Sequence, residues 1–382
     1  MIDKIKELDN FILKNNLFGL DFLRSLAIIL VLLFHNVVLF PHPEWINKVG
    51  KFGWIGVDLF FALSGFLIAS KLFEQIVADT KISYRDFFIK RFFRITPLYL
   101  VVLTLYFCFL PLRESPNLAP LWKYLTFTQN FGLDRNAQGA FSHAWSLCVE
   151  EQFYLFFPLT LICLMYFRAL KFGFYLLLSL VVLGFLARLY AWYAFVYPII
   201  DSNMLHLNWY KWIYYPTYAR LDGLLFGILI SGIFHFKPKV KNYLQAYGNT
   251  IFTIGLLVLS AAYIVCLDEK SLNFALWGFF LVDLGCGLLV LSAICPTSVL
   301  YKFKSRFFTA IATLSYAIYL IHKITIHVTQ EFFFSVHISK DSNTMMLLGT
   351  FTTLLAALVL HNLIEKPFMK FRNQILHSTT KS

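Results

Sequence analysis

An all-α bundle of about ten transmembrane helices with both termini cytoplasmic is the fold class that three features of this sequence predict. The 382 residues are 59% hydrophobic and only 14% charged, with 43 Phe and 20 Tyr, which excludes a soluble globular chain and a disordered one. Apolar runs able to cross a hydrocarbon core of about 30 Å recur from end to end. Basic residues alternate between crowded and sparse connecting segments, as the positive-inside rule requires.

The spans fall near 18–40, 54–77, 95–112, 144–167, 173–197, 213–234, 249–267, 275–294, 307–326 and 345–364. Ten crossings return the chain to the side on which it began. Segments 1–19, 78–94, 168–172, 235–248, 295–306 and 365–382 carry 20 Lys and Arg, against eight in the opposite loops: Lys48, Lys51, Arg113, Lys123, Arg135, Lys211, Lys270 and Lys340. Both ends are therefore expected in the cytoplasm. The net charge of +12 then reflects topology and contact with anionic membrane lipids, with no need for a nucleic-acid partner. The helices leave no loop of domain size, the longest outer one being 113–143, so 1–382 reads as a single transmembrane domain. A leader containing Asp3, Glu7 and Asp9, and a following "PHPEW" without a small-x-small site, mark the first span as one that stays attached rather than a signal peptide. The six cysteines form no C-x-x-C pair and no cluster, so neither a metal site nor a disulfide framework is expected.

Polar residues inside the spans carry the functional information, because each costs several kcal/mol or must find a partner within the bundle. Arg24, His35, Asp58, Glu150, Glu151, Arg188, Arg220, Asp222, Asp283, His322 and His361 make up this set. A bundle that only packs has no use for so many, so they imply a polar chamber or pathway.

In the first span, "DFLRSLAIILVLLFHN" sets Arg24 and His35 eleven residues apart. Eleven helical steps return to within roughly 20° of the starting face and rise about 16 Å. Arg24 then lies about one turn into the hydrocarbon and His35 roughly 22 Å deep. In the second span, "GWIGVDLFFALSGFL" aligns Asp58 with Gly65 and leaves small Ser64 beside it, where another backbone can approach closely. "KRFFRITPLYL" puts Arg91 and Arg94 at i, i+3 and Pro97 in the expected first turn of the third span. Two arginines at a helix N-terminus are a ready anion site, or else an ordinary positive-inside anchor.

The fourth span enters through "SHAWSLCVEEQFYLFFP", where Ser146, Glu150 and Tyr154 share one stripe and Glu151 points about 100° away. Arg220 and Asp222 in "YARLDGLLFG" are either a local ion pair or members of the pathway. In the ninth span, "LSYAIYLIHK" aligns Ser315, Tyr319 and His322 on one face.

Seven blocks, "LDFLRSLAIILVLLFH", "GVDLFFALSGFLI", "KRFFRITPLY", "WSLCVEEQFYLFFP", "RLDGLLFG", "LSYAIYLIH" and "IEKPF", follow one another from about residue 17 to 370. In order and wording they resemble the acyltransferase 3 family of integral membrane enzymes. The resemblance implies an acyl-CoA-dependent O-acyltransferase that moves an acyl group, usually acetyl, from cytoplasmic acyl-CoA to a sugar or similar acceptor outside the bacterial inner membrane. It also suggests a single-domain member without the SGNH-type hydrolase-like domain that some relatives carry.

Within that resemblance the residues take expected roles. Arg91 and Arg94 hold the CoA phosphates. Arg24 guides the pantetheine arm or stabilises developing negative charge. His35 accepts the proton of the attacking hydroxyl, or takes the acyl group itself in a covalent intermediate. Glu150 orients or charge-stabilises His35, and Asp58, Glu151, Tyr154, Arg220, Asp222 and His322 are further pathway candidates. The acceptor, a carbohydrate or glycolipid such as a surface polysaccharide or O-antigen sugar, is expected against the aromatic-rich loops 113–143 and 198–212. The competing class is a proton-coupled or sugar-lipid transporter without thioester chemistry, against which no internal repeat or paired broken spans are found.

Overall fold

The computed structural model describes residues 18–80 and 82–379. The leader 1–17, Lys81 and Lys381, which entered the charge count above, lie outside them. Among the described residues there is no strand, and nine helical segments are long and apolar enough to cross a membrane, or ten if one bent pair is a single span. The chain is an all-α integral membrane protein with many spans.

Twelve helices organise it: α1 (Phe18–Leu39), α2 (Ile55–Val77), α3 (Tyr84–Cys108), α4 (Trp145–Tyr166), α5 (Gly173–Ala191), α6 (Asp222–Phe236), α7 (Pro238–Ala246), α8 (Gly248–Cys266), α9 (Phe279–Ala293), α10 (Arg306–Ser335), α11 (Asn343–Leu360) and α12 (Lys366–Thr379). One end of the bundle carries the turns 78–83, 167–172 and 294–305 and is here the basic end. The other carries 109–144 and 192–221 and is the aromatic end. The apolar windows of Ile46–Val77 and Phe274–Ala293 are each 72% buried while that of Leu170–Ile199 is 6% buried, so α2 and α9 form the centre and α5 the periphery.

Small residues make that centre possible. A Cβ on Gly65 would overlap the Leu224 carbonyl, and one on Gly227 the Ala62 carbonyl, so α2 and α6 pack backbone against backbone. The close approach expected at Gly65 is therefore made, with α6 as the partner.

Three boundaries differ from expectation, two of them for a local reason. Helix α3 begins at Tyr84 rather than near 95, because Ser83 caps it by accepting from the Asp86 N–H at 3.3 Å. Arg91 and Arg94 consequently sit in mid-helix, and Pro97 lies inside the helix, not in its first turn. The anion site expected from a helix N-terminus is not formed there; only the two side chains contribute. Helix α6 begins at Asp222 rather than 213, because a π-turn over Tyr210–Tyr214 and Pro216 interrupt the chain. After Phe236 the chain turns by 110° at Pro238 into the short α7. Helix α10 runs unbroken for 30 residues and ends nine positions past the expected 326.

Arg220 and Asp222 do not pair with each other. Because α6 starts between them, they point to different neighbours: Arg220 donates to Asp58 at 2.5 Å and Asp222 accepts from Arg188 at 2.7 Å. All four side chains are at most 1% exposed. Arg188 also donates to the Ala219 carbonyl at 2.8 Å, and the Arg220 guanidinium lies 4.1 Å from the Phe279 ring centroid and 4.7 Å from that of Tyr214. These pairs stitch α2, α5 and α6 together, and none of the four residues lines either cavity described below.

Candidate active site

Two cavities enter the bundle from opposite ends and approach each other at Tyr319. The larger, about 940 Å³, opens at the basic end. Arg24, Lys71, Lys90, Arg91, Arg94 and Arg372 line it, with Glu74 and Glu150 as the acidic residues of its wall. Such an excess of cations suits a polyanionic ligand, and a cavity of this size can take one of cofactor dimensions. Arg24 is weakly held by Asp21 at 3.7 Å, one turn back. Arg91 stacks over the Tyr154 ring at 5.1 Å. Arg94 lies 3.8 Å from Glu365, which itself pairs with His361. Lys71 and Arg372 were not singled out by sequence; Lys71 is a cation inside an apolar run, which was the available signal.

Glu150 lines this cavity and accepts from the Tyr154 hydroxyl at 2.7 Å and the Ser64 hydroxyl at 3.2 Å. Its expected contact with His35 is not made: its carboxylate accepts from hydroxyls at the cation-lined cavity, whereas His35 lines the other one. Glu151 points off the stripe, as its spacing predicts, and is absent from both cavity linings.

The smaller cavity, about 40 Å³, opens at the aromatic end and holds His35. His35 and Arg24 thus face different cavities although they share a helix. The ring nitrogens can be assigned from their acceptors, since a carbonyl oxygen only accepts. His322 Nδ1 lies 2.7 Å from the Tyr319 carbonyl and so carries the proton, leaving its Nε2 bare. His35 Nδ1, 3.0 Å from the Val31 carbonyl and 3.2 Å from His322 Nε2, donates between them. The lone pair of His35 Nε2 is left available. The partner that orients His35 is therefore His322.

A third histidine was missed. His143 sits 4.8 Å from His322 and 6.1 Å from His35, ring centroid to centroid. It lies in the short turn Ser142–Ala144 just before α4, where no periodicity marks it. Phe141 directs that turn inward by adopting a left-handed conformation, φ 53°, uncommon for a bulky residue. Its ring is held between Tyr106 and Tyr124 at 4.5 and 5.7 Å. Beside the histidines, the buried Lys323 reaches Glu114 at 3.3 Å and the Ser142 hydroxyl at 3.1 Å, tying the loop 109–141 to α10. Among the described residues no group of three or more His, Cys, Asp or Glu is placed to hold a metal ion.

Between the cavities stands a thin septum. Val57 and Tyr319 line both. The Tyr319 and Ser146 hydroxyls are 2.7 Å apart, and Tyr319 also donates to the His143 carbonyl. Ser315, Tyr319 and His322 thus use one face of α10 to touch, in turn, the cation-lined cavity, the septum and His35.

A family model described as an acyltransferase domain matches residues 17–362. A Staphylococcus aureus (strain COL) protein provisionally named an O-acetyltransferase is 26% identical over 375 residues, covering 92% of this chain and 57% of its own length. The O-acetyltransferase OatA of S. aureus strain NCTC 8325 / PS 47 is likewise 26% identical, over 371 residues, with the same coverage. The chain thus spans little more than half the length of these relatives. No solved structure matches.

Proposed function

The chain belongs to the acyltransferase 3 family, and from that premise we propose that it moves an acyl group, acetyl foremost, from cytoplasmic acyl-CoA to a hydroxyl of a carbohydrate or glycolipid on the outer face of the bacterial inner membrane. The observation that carries this reading is the pair of cavities: a cation-lined chamber at one end, a histidine-lined vestibule at the other, and a septum a side chain thick between them.

In this reading Arg91 and Arg94, aided by Lys71, Lys90 and Arg372, bind the CoA phosphates at the basic end, while the pantetheine arm runs inward past Arg24 toward Ser146 and Tyr319. The acceptor hydroxyl arrives through the vestibule. His35 Nε2 removes its proton as the oxygen attacks the thioester carbonyl, a contribution typically of about 10²–10⁴-fold. The C–S bond breaks, and the CoA thiolate takes up the proton from the imidazolium, giving an O-acyl acceptor and free CoA. His322 holds the His35 ring in the tautomer this step needs. Because His35 lies beyond the septum, Tyr319 must swing aside for the acyl group to reach it.

Equilibrium binding of acetyl-CoA to purified protein in detergent, followed by release of the free thiol once a crude glycan-lipid extract is added as acceptor, tests the reading. Saturable binding and thiol release are expected; a transporter without thioester chemistry would give neither.

A further inference from the structure

On the reading that His35 receives an acceptor hydroxyl, we propose that the acceptor is an anionic carbohydrate whose negative group, carboxylate or phosphate, is bound by Arg135. Among the described residues, the charged side chains lining the His35 vestibule besides its histidines are Arg135 and Lys323, and no carboxylate lines it. Lys323 is already matched, 3.3 Å from Glu114 and only 2% exposed. Arg135 has no such carboxylate: its side-chain partners are the neutral hydroxyls of Tyr215 and Tyr210. It forms no ion pair among the described residues, is half-buried, and rests 5.2 Å from the Tyr210 ring.

Its neighbour Asp134 does not neutralise it. That carboxylate turns back into its own loop, accepting from the Asn136 and Ala137 N–H groups at 2.9 and 3.1 Å. Arg135 is also the one basic residue of the eight in the expected outer loops that lines the vestibule. A guanidinium there presents a planar fork that matches a carboxylate or phosphate in two parallel hydrogen bonds. The rings of Tyr210, Tyr214 and Tyr215 line the same wall and supply the flat apolar faces against which a sugar ring packs. A neutral sugar would use the rings alone and leave the fork without an anion.

The test measures binding of three labelled probes to purified protein: cellotriose, its glucuronate-terminated counterpart, and its terminal glucose phosphodiester. The two acidic probes separate a carboxylate from a phosphate as the recognised group. At least one acidic probe should bind about tenfold or more tighter than cellotriose. Arg135→Gln should erase that difference while leaving cellotriose binding and acetyl-CoA binding unchanged, and Arg135→Lys should keep part of it. Equal binding of all three, no binding of either acidic probe, or a preference that persists in Arg135→Gln overturns the proposal. Acetyl-CoA binding in the same preparation keeps the two readings apart: if it is intact, only the anionic acceptor falls, and if wild type lacks it, the acyltransferase reading falls as well.

Discussion

Ser146 and Tyr319 join α4 to α10 through hydroxyls 2.7 Å apart, and this contact lies between the cation-lined cavity and the vestibule that holds His35. A membrane enzyme that brings a donor from one side and an acceptor from the other must keep water from the thioester until both are present. In the proposed reaction the septum, in the conformation described, would perform that exclusion.

Replacing Tyr319 with Ala should therefore join the two chambers. Acetyl-CoA hydrolysis without acceptor is expected to rise several-fold while ester formation falls, read as the ratio of CoA released to ester formed. Tyr319→Phe removes only the hydroxyl contacts, worth about 1 kcal/mol net each, and should show the same change more weakly.

In the proposed reaction His322, 3.2 Å from His35 Nδ1, acts on His35 rather than on substrate. His322→Ala removes one of the two acceptors of the His35 Nδ1–H and should lower kcat by about 10- to 100-fold, on the scale set by outer-shell partners of metal-bound histidines, with KM for acetyl-CoA unchanged. A rise in KM without a fall in kcat would place His322 elsewhere in the reaction.

The donor cavity should show the opposite split. Arg91→Ala is expected to raise KM for acetyl-CoA with little change in kcat, and added salt should raise the wild-type KM in the same direction. Arg94→Ala should cost less, because Glu365 already offsets part of its charge at 3.8 Å.

Asp58→Ala should destabilise the protein rather than act on chemistry. It removes the carboxylate to which the buried Arg220 donates, leaving the neighbouring Asp283 to offset its charge; breaking a buried pair costs about 3–5 kcal/mol in other proteins. A lowered Tm in detergent, with kcat of the surviving folded fraction near wild type, is the expected result. A selective loss of kcat at unchanged Tm would instead return Asp58 to the reaction pathway.

Much of this was legible in the chain because the underlying physics is local. Composition and span periodicity give the helical membrane bundle, and the eleven-residue spacing puts Arg24 and His35 on one face of α1. The stripe through Ser315, Tyr319 and His322 leads directly to the septum and to the partner of His35. What escaped depends on contacts distant in sequence or on irregular backbone. Nothing near Glu114 indicates that it meets Lys323, and nothing before Phe141 announces the left-handed turn that carries His143 inward. Glu150 was placed beside His35 because a carboxylate commonly orients a histidine; its own stripe holds Tyr154, which takes the role of its partner instead. Lys71 and Lys323 follow the same rule that singled out Arg24, namely that a charge within an apolar run needs a purpose.

In the proposed reaction His35 is the group that activates the acceptor. The most direct test of that role gives purified wild-type protein and His35→Ala radiolabelled acetyl-CoA together with a crude glycan-lipid extract, and follows label into the extract. Wild type should transfer label, and His35→Ala should bind acetyl-CoA with unchanged affinity but lose transfer by about 10²-fold or more. Transfer that survives in His35→Ala, or folded wild-type protein that neither binds nor cleaves acetyl-CoA, would contradict it.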